Sequence, residues 1–172
     1  MDLMEHMWNV RSISKSIAKS IHLDAKAIKE IETAAYLHDV GKFIIPNYIL
    51  YKDHKLNEQE FSIMKQHSII GANVLSEKKF SDGVIKAVKH HHERYDGLGY
   101  PDGLKGNEIP FNARIIAVAD AFDAMVSNRC YKSNISVEMA IKEILINSGT
   151  QFDPYIAQIF SNILKNKKSS LT

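Results

Sequence analysis

The run His38-Asp39-Val40-Gly41-Lys42 sets an imidazole beside a carboxylate, and further imidazoles follow at His67 and at His90-His91-His92. The chain has one cysteine, Cys130. Imidazoles with a carboxylate and no thiolates form the nitrogen and oxygen donor set of a divalent metal cluster rather than a thiolate zinc site. Bound there, divalent ions would activate water and polarise an oxygen, so the chemistry indicated is hydrolysis.

Each of these residues also has a plainer reading. His38 and Asp39 alone could bond the last carbonyls of a helix. On a helix their side chains diverge by about 100°, so they would border two ions about 3.5–4 Å apart, with the carboxylate bridging. His91 and His92 fit the same geometry, whereas His90 would point elsewhere, to solvent or behind the ligands. Asp120, inside Ile115-Ile116-Ala117-Val118-Ala119, would be costly to bury without a cation or strong donors. The plainer reading, a carboxylate facing outward from an amphipathic helix, fits Asp123 about as well, and spacing alone does not choose between Asp120 and Asp123. His6 by itself reads as a half-buried, satisfied histidine, and His22 and His54 as surface groups.

The elements that must position these groups read as helices. Leu3, Val10, Ile13, Ile17 and Ile21 form an amphipathic stripe over 3–21, with His6 one turn before Val10. Asp24 caps a second helix that runs to a C′ glycine at Gly41 and carries His38 and Asp39 in its last turn. Asn57 and Glu60 form a capping box opening a third helix through Met64, His67 and Val74. A fourth, over 82–94, ends in the histidine triplet. The breakers Gly97, Gly99, Pro101, Gly103, Gly106 and Pro110 forbid regular structure from Asp96 to Pro110. Helices return over 112–127, over 136–148, and from Asp153 as cap with Pro154 first in the helix. The expected fold is an all-α multi-helix bundle, with a Gly/Pro-rich loop between the fourth helix and the Asp120 helix. Residues 1–166 are expected as one domain and 167–172 as a disordered tail.

Composition agrees. The 172 residues are 45% hydrophobic and 24% charged, enough for one sizeable core. A formal charge of +2 is too balanced for duplex nucleic acid or a membrane surface to be recognised by bulk charge. There is no apolar run of the roughly 20 residues that a membrane span needs and no secretory signal pattern, so a cytoplasmic, reducing location is expected.

The chain resembles the HD-GYP domain, a branch of the HD-type phosphohydrolases, from His6 to about Pro154. The resemblance rests on His38-Asp39-Val40-Gly41-Lys42, Met64-Lys65-Gln66-His67, His91-His92-Glu93-Arg94-Tyr95-Asp96-Gly97-Leu98-Gly99-Tyr100-Pro101, Ala119-Asp120-Ala121-Phe122-Asp123-Ala124-Met125, Arg129-Cys130-Tyr131-Lys132 and Phe152-Asp153-Pro154. It implies metal ligation by His6, His38, Asp39, His67, His91, His92 and Asp120, with Asp39 bridging, and so favours Asp120 over Asp123. Two divalent ions, iron or manganese, are implied. Members with three have a glutamate four residues before the first histidine; here that place is Asp2, the ligand through which a third ion would be held. Cys130 stands where the family usually has proline.

The resemblance further implies a cyclic dinucleotide substrate, cyclic di-GMP first among them, opened by hydrolysis of one phosphodiester to linear pGpG and then to GMP. Asp39 and Lys42 are the expected catalytic residues. Lys42, Arg129 and Lys132 would meet phosphate charge, with Tyr100 as a further substrate contact; Tyr131 could lie at the substrate or in the core. Bacterial signal transduction is the implied setting, with an upstream sensory or receiver domain or a protein partner at the Gly99-Tyr100-Pro101 loop. Two alternatives stand beside this reading. A catalytically weak signalling module is disfavoured because the core donor set is complete, and a generic HD nucleotide phosphohydrolase because such enzymes lack that loop.

Overall fold

The computed structural model describes residues 3–127 and 135–169. Among these the chain is helical: α1 Leu3–Ser20, α2 Ala25–Leu37, α3 Asn47–Leu50, α4 Glu58–Glu77, α5 Asp82–His90, α6 Phe111–Val126, α7 Val137–Ile146 and α8 Pro154–Ser169. Two short 3-10 turns, Val40–Ile44 and Gly106–Glu108, complete it. No strand occurs among the described residues beyond an isolated bridge between Ser148 and Phe152, and none of their helices is long and apolar enough to cross a membrane.

Local chemistry sets the helix starts. Asp24 accepts from Ala27 N, Ser81 from Val84 N and Ser136 from Met139 N. Asn57 and Glu60 make both bonds of the capping box. The Asp153 carboxylate accepts from Tyr155 N and Ile156 N at the start of α8.

Two apolar clusters hold the helices together. Ile17, Ile31, Ile115, Val118, Phe122, Ile144, Ile156 and Phe160 join α1, α2, α6, α7 and α8. Val10, Ala34, Ala35, Leu75, Val84, Val88, Ile116 and Ala119 join α1, α2, α4, α5 and α6. Helix α6 serves both, so it is buried on two sides, and its carboxylates Asp120 and Asp123 are fixed by the packing of its neighbours.

The structure departs from the sequence expectations at several points. Helix α2 stops at Leu37 with His38 as its C-cap in αR conformation, and Asp39 lies beyond it at φ −98°, ψ 7°. The 100° divergence of helical neighbours therefore does not apply to this pair. Gly41 is not a left-handed C′ residue, since its φ is not positive. It sits in the 3-10 turn, where a Cβ would collide with the carbonyl oxygen of His67 and stand 2.8 Å from Gly71 N on α4. Helix α5 ends at His90, not at 94, because the His92 carbonyl accepts from Tyr100 N and Gly99 passes too close for any side chain, its Cβ position lying 2.5 Å from Glu93 Cα. Helix α8 continues to Ser169, into the stretch 167–172 expected as a tail; once Ile156, Ala157 and Phe160 are packed, adding helical residues is cheap.

Candidate metal centre

Five segments bring the donors together: His6 from α1, His38 and Asp39 from the end of α2, His67 from α4, His91 and His92 from the end of α5, and Asp120 from α6. Asp39 is fully buried at their centre. Its Oδ2 lies 3.4 Å from His38 Nε2 and 3.7 Å from His6 Nε2, while its Oδ1 lies 3.4 Å from His67 Nε2. His67 Nε2 is in turn 3.4 Å from His91 Nε2, and the His91 and His92 rings are 4.0 Å apart. Two donor groups result, His6-His38-Asp39 and Asp39-His67-His91-His92, and Asp39 belongs to both. Asp120 sits at the rim, 3.1 Å from His6 Nε2 and 4.0 Å from His38 Nε2.

The backbone sets the tautomers. His38 Nδ1 donates to Ala35 O, His67 Nδ1 to Met64 O and His91 Nδ1 to Val88 O, each at 2.7 Å and each three residues back on its own helix. A carbonyl can only accept, so Nδ1 carries the proton and a lone pair is left on Nε2, facing the cluster. His6 is held differently. Its Nδ1 bonds Asp123 Oδ2 at 2.6 Å, and Asp123 also accepts from Ser127 Oγ. Asp123 therefore stands behind His6 and orients it, a role that sequence reasoning missed. Its signal was its place three residues after Asp120, on the same helix face.

Electrostatics match this division. Burial, with the neighbouring imidazoles, pushes His91 well below the usual histidine range and lowers His92 to about 3; burial also lowers His67. For His6 burial acts downward too, but bonds to Asp120 and Asp123 win and raise it to about 9. Burial would raise Asp39, yet His38 and Lys42 hold it well below the usual carboxylate range. Burial likewise opposes ionisation of Asp120, and His6 and His38 overcome it. Neutral His67, His91 and His92 around the ionised Asp39 are in the protonation state that a divalent cation requires, whereas His6, held as an imidazolium between Asp120 and Asp123, has to give up its Nε2 proton to bind one. Two buried atoms, His38 Nε2 and Asp39 Oδ1, have no hydrogen-bond partner, a costly arrangement in a protein interior. The residues fit a metal.

A pH prediction follows for protein stripped of metal. His91 and His92 have folded pKa values below their unfolded value of about 6.5, so the unfolded chain takes up more protons as the pH falls. No proton is owed above about pH 6.5, and stability is lost progressively as the pH falls below it, down to about pH 3 for His92. Stability of the stripped protein should therefore fall as the pH drops from about 6 to 4. Urea unfolding in chelator across this range checks it; stability that is flat in pH would contradict the buried neutral imidazoles.

The remaining expected residues lie around this centre. Lys42 Nζ bonds Asp39 Oδ2 at 2.6 Å. The Tyr100 ring lies 4.8 Å from the His92 ring, tilted by 30°. His90 is neither solvated nor behind the ligands: it is 8% exposed, donates from Nδ1 to Lys86 O and meets Asp102 Oδ2 through Nε2. It turns outward because the chain has not yet left the helix at this residue, and it ties α5 to the Gly-rich loop. His22 and His54 are exposed, as expected. Asp2, Arg129, Cys130, Tyr131 and Lys132 lie outside the described residues.

Glu93 was also missed. Its carboxylate, 3% exposed, accepts from the backbone N–H groups of Asp102 and Gly103 through Oε1 and of Leu104 through Oε2. This one side chain replaces the hydrogen bonds that a Gly/Pro-rich segment cannot make with itself, and so fixes Tyr100 over His92. Glu93→Gln keeps the shape but turns an amide N–H against a backbone donor. We expect a loss of about 1.5–3 kcal/mol, and faster limited proteolysis within 96–106 while helical circular dichroism is retained. Unchanged loop protection would remove Glu93 from this role.

The HD domain family matches residues 2–156. The chain belongs to the HD domain family. Its relatives and its Gly99-Tyr100-Pro101 loop place it in the HD-GYP branch. It is 42% identical to a cyclic di-GMP phosphodiesterase of Thermotoga maritima, over 96% of this chain and 45% of that protein. With the cyclic di-GMP phosphodiesterase response regulator RpfG of Xanthomonas campestris identity is 44%, over 88% of this chain and 40% of the relative. The chain thus spans less than half the length of these relatives. Among solved structures, an HDG"Y"P protein from Bdellovibrio bacteriovorus superposes with a TM-score of 0.78 at 24% identity, covering 95% of this chain and 53% of that one. That likeness supports the all-α HD fold.

Proposed function

We propose that this HD-GYP domain is a metal-dependent phosphodiesterase that hydrolyses a cyclic dinucleotide, preferentially cyclic di-GMP, to linear pGpG and then to GMP in the bacterial cytoplasm. The observation that carries the reading is Asp39, buried without a partner for Oδ1 and facing a different set of imidazole Nε2 atoms with each oxygen. Its relatives in Thermotoga maritima and Xanthomonas campestris, cyclic di-GMP phosphodiesterases, support it.

In this reading His6, His38 and Asp39, with Asp120 at the rim, hold one divalent ion, and Asp39, His67, His91 and His92 hold another. Iron or manganese suits a mixed imidazole and carboxylate shell; a third ion would need Asp2. Bound ions supply a nucleophile from water near neutral pH and polarise the phosphoryl oxygen. The protein's own groups do the rest. Lys42, on the same Asp39 oxygen as His38 and His6, stands where a phosphate meeting the ions would arrive and neutralises its charge. Burial, then the Asp120 and Asp39 carboxylates, raises the Tyr100 hydroxyl above its usual range, so it keeps its proton and donates to substrate. Arg129 and Lys132 are assigned to the phosphates as well.

Purified protein loaded anaerobically with iron or manganese, and offered cyclic di-GMP, a mixed cyclic GMP-AMP dinucleotide and dNTPs, tests this. Linear pGpG is the expected product. Turnover of dNTPs alone would indicate a generic HD phosphohydrolase, and binding of cyclic di-GMP without turnover a signalling module. Lys42→Ala should keep its metal and lose about 10–150-fold in rate, the loss expected for a charge-assisted contact of about 1.5–3 kcal/mol. Loss of metal in that variant would contradict its assignment to phosphate.

A further inference from the structure

Helix α4 carries an aromatic and a lysine one turn apart, Phe61 and Lys65, on the approach to the metal centre. Phe61 is 48% exposed although it is a large apolar side chain. Its ring is 6.5 Å from Tyr100 at 82°, and Tyr100 lies against His92. The ring series His92, Tyr100, Phe61 thus leads outward from the cluster to a free aromatic face. Lys65 is half-buried beside it, with Nζ 5.4 Å from the Phe61 ring centre and 5.8 Å from that of Tyr100. No carboxylate lies within ion-pair distance of Lys65 among the described residues, whereas Lys52 is paired with Glu60 and Lys89 with Asp102. Two aromatic faces hold an ammonium in place but leave its N–H donors unused.

We propose that Phe61, Lys65 and Tyr100 form a base-recognition subsite that selects guanine, with the base stacked on Phe61 and its O6 and N7 accepting from Lys65. The inference rests on the cyclic-dinucleotide reading given above. Guanine offers two acceptors on that edge, whereas adenine offers N7 and an N6 donor that a lysine ammonium cannot satisfy. Phe61 and Lys65 neither ligate metal nor touch the cluster, so these two side chains act on which dinucleotide is bound and not on the chemistry of the diester.

The test compares metal-loaded wild type, Phe61→Leu, Lys65→Met and Lys65→Glu on cyclic di-GMP, cyclic di-AMP and bis(p-nitrophenyl) phosphate, a diester without bases. Affinity for a phosphorothioate analogue of cyclic di-GMP is measured by calorimetry alongside. Phe61→Leu should weaken binding of the analogue about 5–150-fold and leave the base-free diester unaffected. Lys65→Met should lower kcat/KM for cyclic di-GMP at least about fivefold more than for cyclic di-AMP. Lys65→Glu should shift preference toward the adenine substrate, because a carboxylate accepts from N6. Equal losses on all three substrates would overturn the subsite and leave the phosphodiesterase reading intact. A wild type that cleaves the base-free diester and neither cyclic dinucleotide would overturn both.

Discussion

Asp39→Ala is expected to abolish both metal loading and hydrolysis. The carboxylate is the one group shared by the two donor sets, and its oxygens face opposite sides of the cluster. Its removal leaves three imidazoles on one side and two on the other, with no anion between them and with Lys42 facing a desolvated hole. Metal content measured by plasma spectrometry should fall from the stoichiometry of the wild type to none or to a weakly held remnant. Hydrolysis should drop by at least about 1,000-fold, the scale associated with losing about 4 kcal/mol of preorganised charge stabilisation. Full stoichiometry with retained activity would overturn the bridging assignment.

Gly41→Ala should do comparable damage from outside the donor set. The added methyl has no room, since it would meet backbone at both His67 and Gly71, and neither helix α4 nor the 3-10 turn can yield without moving Asp39 away from His67. Overpacking against rigid backbone costs about 1–3 kcal/mol in ordinary cores and more where nothing relaxes. We expect Tm to fall by several degrees and the second donor group to lose its metal before the first. Melting curves with and without manganese measure both effects. A variant as stable and as well loaded as wild type would show that the close approach is not needed.

What could be read from the sequence was what neighbouring residues decide. The Asn57–Glu60 capping box, the Asp24 and Asp153 caps and the breakers between Asp96 and Pro110 each act within a few residues, and the structure has them. The four-residue helix Asn47–Leu50 escaped because it is too short to show a period. The pointing of Asp39 escaped because it depends on where α2 stops, which α4 decides through its contact with Gly41. Asp123 and Glu93 escaped for a similar reason: each is defined by its partner, His6 for one and three backbone amides of the loop for the other, and partners far along the chain leave no local pattern.

The hydrogen bond between His6 and Asp123 joins residues 117 positions apart. Closing a chain loop of that length carries an entropic cost of about 4 kcal/mol, and such long-range contacts tend to form late in folding. The half of the centre that contains His6 therefore comes into being only when α1 and α6 have docked. A cation held there would work as a detachable crosslink between them, adding stability that grows with the logarithm of free metal. Without a cation there, the domain itself would be easier to unfold and more open to proteolysis.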